Sequence, residues 1–66
     1  MSIFNVGDEV EREELGYTGV VVGYHPVFPW IVRIKRHDGR SGGFGDFWQT
    51  NELDLKLIST FSLINE

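Results

Sequence analysis

Apolar and polar positions along this chain change over in short runs, and none of the runs carries the 3.6-residue period of an amphipathic helix. Glu9-Val10-Glu11-Arg12, entered through Val6-Gly7-Asp8, reads as a first strand, and Glu13 to Gly16 as a polar turn. Tyr17 to Tyr24, Tyr-Thr-Gly-Val-Val-Val-Gly-Tyr, is rich in the β-branched and aromatic residues that favour strands. Gly19 and Gly23 fall inside it, where a strand bends or another backbone comes close. From Trp30 the pattern alternates strictly. Trp30, Val32 and Ile34 share one face, and Ile31, Arg33 and Lys35 share the other, which predicts a half-buried strand to Arg36 with its basic residues outward.

Between these runs the breakers are equally legible. His25-Pro26-Val27-Phe28-Pro29 cannot lie in a central strand, because two prolines remove ladder donors, so it is an unusually apolar loop. His37-Asp38-Gly39-Arg40 carries the Asp-Gly pair of a tight hairpin, and the return strand is expected at about Ser41 to Trp48. Thr50-Asn51-Glu52-Leu53 predicts one short helical turn, since Thr or Asn caps a helical start. Leu53, Leu55 and Leu57 then alternate with Asp54 and Lys56 as a last strand with one apolar face. The tail from Ser59 to Glu66 holds Phe61, Leu63 and Ile64 but matches no clear period. The expectation is an all-β, five-stranded domain over residues 1–58, with 59–66 as a tail, an extra strand or an oligomer contact.

The order of these elements resembles the Src-homology-3-like barrels, in the group that includes KOW and Tudor domains. Val6-Gly7-Asp8-Glu9-Val10 followed by Gly16-Tyr17-Thr18-Gly19-Val20-Val21 is similar to the KOW pattern of a Gly-Asp opening and a glycine-bracketed turn. Glu52 to Ile58 looks like the closing strand of small bacterial and phage barrels of this type. The resemblance implies a five-stranded barrel with a short helical turn before its last strand, used for binding. The stand-alone format is similar to that of phage and mobile-element accessory proteins acting on host machinery. Two departures bear on function. The first two strands are acidic where KOW domains are usually basic, and the Val-Gln-Ile-Tyr stretch of the plasmid-borne dihydrofolate reductases with this barrel is missing.

Size and charge sharpen the picture. Sixty-six residues make one domain, with a modest core and no cysteine to staple it. A partner subunit is one remedy, so a homo-oligomer is expected. No apolar run approaches the ~20 residues of a membrane span, and the first residues lack a secretory pattern, so the expectation is a cytoplasmic protein away from membranes. The net charge of −4 argues against a chain dominated by phosphate contacts. The charges are segregated, however: Asp8, Glu9, Glu11, Glu13 and Glu14 crowd one segment, and Arg33, Lys35, Arg36 and Arg40 another.

Candidate chemistry points to binding. No serine sits in a nucleophile elbow, His25 and His37 lack metal-ligand spacing, and Gly42-Gly43-Phe44-Gly45 is followed by no Lys-Ser/Thr, so no catalytic, metal or cofactor residue is assigned. The early acids lack the spacing of a calcium loop. What stands out is a surplus of aromatic residues for so small an interior. Tyr24, Phe28, Trp30, Phe44, Phe47 and Trp48 are the expected contacts for a protein partner, offered by the proline loop and the glycine-rich stretch. The alternative is nucleic-acid binding through Arg33, Lys35, Arg36 and Arg40, and a third reading is a barrel that chiefly self-assembles.

Overall fold

A computed structural model describes residues 3–42 and 45–59. Five antiparallel strands form one sheet: β1 (Glu9–Arg12), β2 (Tyr17–Tyr24), β3 (Ile31–Arg36), β4 (Trp48–Asn51) and β5 (Lys56–Ser59). The order across the sheet is β4-β3-β2-β1-β5, so the last strand returns beside the first. A 3-10 turn at Glu52–Asp54 separates β4 from β5, as the sequence predicts. Asn51 caps it, its side chain accepting from the Leu53 N–H at 2.9 Å.

The sheet has to curl. Residues 52 to 55 alone join its two outer strands. Three of them rise at only ~2 Å each in the 3-10 turn, so the strand ends lie roughly 13 Å apart. A flat sheet would hold them four spacings apart, roughly 19 Å. Arg12 of β1 accordingly reaches across the concave face to β4, donating from Nη1 to Thr50 Oγ1 at 2.8 Å, and lies 3.6 Å from Asp54. No ladder joins β4 to β5 among the described residues.

The concave face is the core. Val10, Tyr17, Val21, Val32 and Ile34 fill it from the three central strands, and Phe4 closes it from the chain start. Tyr24, Trp48 and Leu55 pack around the rim. Gly19 lets β2 and β3 approach: a Cβ there would overlap Ile34 Cγ2 and stand 2.7 Å from the Lys35 carbonyl oxygen. Gly23 sits at a bulge, where the β2–β3 register shifts between Val21 and Gly23. The Val6-Gly7-Asp8 opening is a turn with Gly7 at φ 97°, and the buried Asp8 carboxylate accepts from the Asn5 N–H at 2.9 Å.

Three strand expectations are corrected. Trp30 precedes β3 and is half-exposed, because the chain is still turning there, with Ile31 N–H bonded to Phe28 O at 3.0 Å. The return strand runs Trp48–Asn51, not Ser41–Trp48. Asp38-Gly39 does turn, with Gly39 at φ 77°, but Gly45 at φ 93° leaves the extended region, so pairing begins only at Ile34↔Trp48. Of the three alternating leucines only Leu55 packs on the core; Leu53 lies in the 3-10 turn at 83% exposure, and Leu57 is on the edge strand. From Thr60 onward the tail lies outside the described residues.

Candidate functional site

Two surfaces and one buried cluster collect the residues singled out in the sequence. The first surface is the loop between β2 and β3. His25 N–H donates to Ile31 O at 2.9 Å, which pinches the loop shut. Inside it His25 Nδ1 accepts two backbone N–H groups, from Val27 at 3.0 Å and Phe28 at 3.1 Å. Accepting both requires an unprotonated Nδ1, so the ring proton is on Nε2. The imidazole thereby does what an Asx side chain does in a turn. Its ring lies 5.1 Å from Phe28, which lies 5.4 Å from Trp30, with the planes tilted by 36° and 49°. Phe28 is 47% exposed and Trp30 48%, with Val27 beside them at 68%. The result is a braced aromatic ridge on a loop that the prolines at 26 and 29 stiffen.

Acidic groups border this ridge. Trp30 O accepts from the Glu52 N–H at 2.9 Å, so the 3-10 turn with Glu52, Leu53 and Asp54 abuts it. Glu52 Oε2 is buried without a hydrogen-bond partner. The Glu52 carboxylate lies close to the Tyr24 hydroxyl, which accepts from the Phe4 N–H at 3.0 Å. Burial, and behind it the Glu52 carboxylate, pushes the Tyr24 phenol above its ordinary range. Tyr24 is thus part of the packing beneath the ridge rather than part of the ridge.

Trp48 and Arg36 belong to the buried cluster, at the opposite end of β3. The Arg36 guanidinium lies 4.0 Å from the Tyr17 ring centroid and 4.7 Å from that of Trp48. Its Nε and Nη2 donate to the two Asp38 carboxylate oxygens at 3.1 and 2.6 Å. Tyr17 and Trp48 meet edge to face at 6.0 Å. Arg36 therefore closes the end of the core instead of projecting from the molecule as the basic cluster was expected to do. Its place was legible: Arg36 has the parity of Val32 and Ile34, the inward positions of β3. The Asp38 carboxyl is held below its ordinary range, first by the Arg40 N–H it accepts and then by Arg36.

The second surface follows from the same hairpin. Arg33 and Lys35 point to the convex face. The Arg33 guanidinium sits 4.7 Å from the centroid of Phe47, so that ring is partly covered. Lys35, Arg36, Gly39, Arg40, Ser41, Gly45 and Asp46 line a cleft of about 320 Å³. Phe44 lies outside the described residues. Of the six aromatic contacts expected from sequence, then, Phe28 and Trp30 stand together in solvent, Tyr24 and Trp48 pack on the core, and Phe47 lies under Arg33.

On the acidic side, Glu9 approaches His37 Nδ1 at 3.8 Å, and Thr18 Oγ1 contacts the same nitrogen at 2.8 Å. Because both meet one ring nitrogen, this trio lacks the two-sided relay of a Ser-His-Asp site. Among the described residues no group of three or more His, Asp or Glu is arranged to hold a metal ion, and no helix is long and apolar enough to cross a membrane. No protein-family model, characterised protein or solved structure matches the chain.

Proposed function

We propose that this chain is a non-catalytic binding module that inserts the Phe28–Trp30 ridge into an apolar pocket of a protein partner. The observation that carries the reading is two half-exposed rings held in one orientation, by tilted stacking and by the two N–H groups that His25 gathers. Rings already fixed lose little conformational freedom on docking, which favours affinity. The return of β5 beside β1 supports a Src-homology-3-like reading of the sheet, a fold that serves many binding functions.

The test is a double variant, Phe28→Ala with Trp30→Ala. Each ring exposes about half of the roughly 150–250 Å² an aromatic side chain can bury, worth roughly 2–3 kcal/mol or about 30- to 150-fold in Kd when covered. Proteins retained from extract by the immobilised wild-type chain, then purified and titrated by calorimetry, should lose binding in the double variant at unchanged melting temperature. Equal affinity for both chains would overturn the reading. Solution mass identifies one special case: a dimer that the double variant dissociates makes the partner a second copy of this chain.

A further inference from the structure

We propose that the cleft between β3 and the loop after it is a binding site for phosphate esters, with Lys35 and Arg40 as the cationic ligands. It lies at the far end of β3 from the ridge and does not depend on that reading. The cleft is lined by charged and polar groups, and its volume of about 320 Å³ has room for a phosphate with part of the group that bears it. Three basic residues, Lys35, Arg36 and Arg40, line it. Arg36 is spoken for: Asp38 takes its Nε and Nη2, and two rings hold its face, so it forms the fixed floor. Lys35 and Arg40 are different, since neither has an ion-pair partner among the described residues. Across the sheet Lys35 pairs with Val20 and Val20 with Glu9, whose carboxylate lies 3.8 Å from His37 Nδ1.

The turn that carries Arg40 is locked. Asp38 Oδ1 accepts the Arg40 N–H at 3.0 Å, and Gly39 N–H bonds to Arg36 O at 3.2 Å. The Arg40 backbone is therefore fixed by the same carboxylate that neutralises Arg36. Two exposed cations without a salt bridge among the described residues line one polar recess, where an entering anion is attracted to both. Asp46 also lines the cleft and supplies the remaining selectivity: it opposes a bare inorganic dianion and accepts from a hydroxyl, which fits the ester of a hydroxyl-bearing group such as a ribose.

That chemistry is presented both by a free nucleotide and by a nucleic-acid backbone, and the experiment separates them. Inorganic phosphate, uridine monophosphate and an oligouridylate are titrated separately while the amide resonances of Gly39, Arg40 and Ser41 are followed. Two backbone phosphate contacts predict about a sevenfold loss of oligonucleotide affinity between 50 and 200 mM salt, and the Lys35→Gln, Arg40→Gln variant should abolish both the binding and the salt dependence. Saturation by the mononucleotide as tightly as by the oligonucleotide assigns the site to a free nucleotide; much tighter oligonucleotide binding assigns it to a backbone. Asp46→Asn should tighten inorganic phosphate about threefold by removing a like charge. Lys35 and Arg40 are exposed, so the double variant retains the fold. Absence of binding by all three probes, or binding that the double variant leaves intact, would overturn the proposal.

Discussion

Replacing Gly19 by alanine and, separately, Gly23 by alanine adds the same methyl group to the same strand, yet the two should move stability in opposite directions. At Gly19 the new Cβ overlaps Ile34 Cγ2, stands 2.7 Å from Lys35 O and 3.1 Å from Arg36 Cα. None of these can retreat cheaply. Ile34 is fully buried among Val10, Val21 and Val32, and the other two atoms are β3 backbone in register with Gly19 itself. Overpacking a rigid site costs about 1–3 kcal/mol, and relief here requires parting β2 from β3, which places the cost near ~3 kcal/mol. Against a total of roughly 3–10 kcal/mol for a chain of this length, that is a large fraction. In a domain of this size it corresponds to a fall in Tm of roughly 10–25 °C. At Gly23 a Cβ meets nothing within 4 Å and φ is not positive, so alanine restricts the unfolded chain and stabilises by up to ~1 kcal/mol. Thermal and urea unfolding followed by circular dichroism measure both. Equal shifts in the two variants would refute the claim that close strand approach, rather than glycine flexibility, is what Gly19 provides.

Two further predictions concern groups whose titration the fold perturbs. Asp38 has its folded pKa depressed, so its contribution is present above the ordinary aspartate range and is lost as pH falls through that range to the depressed value. Asp38→Asn should therefore flatten the acid limb of a Tm-against-pH curve while lowering Tm at neutral pH; an unchanged acid limb would refute the assignment. Tyr24 has its folded pKa raised, so its contribution is complete below the ordinary tyrosine value of 10.0 and is lost as pH rises through the folded one. Tyr24→Phe should reduce the alkaline sensitivity of unfolding. At neutral pH it should cost about 1 kcal/mol, by leaving the Phe4 N–H without its acceptor. Urea titrations at neutral and alkaline pH check both halves.

The candidate surfaces were only partly legible in the residues. The prolines at 26 and 29 barred a strand and so exposed the loop, but nothing in its composition says that His25 gathers two backbone N–H groups and stacks on Phe28. Arg33, Lys35, Arg36 and Arg40 are equal as charges in a sequence. In the fold they divide into a cation over Phe47, a core plug, and two exposed residues that line a cleft.

What the sequence by itself determined is the all-β class, the bounds of β1 and β2, the helical turn before the last strand, and the turn at Asp38-Gly39. These rest on local physics: β-branched runs, capping side chains, and glycine or proline at positions that admit few alternatives. Only the tertiary structure decided where β4 starts, that Trp30 stays in solvent, and which leucine of the last alternation packs on the core. Period-two alternation assigns a face only while the backbone remains extended. Whether it does so at Trp30, Gly45 or Leu53 depends on the strand that comes to lie alongside, and that pairing is set by contacts distant in the chain.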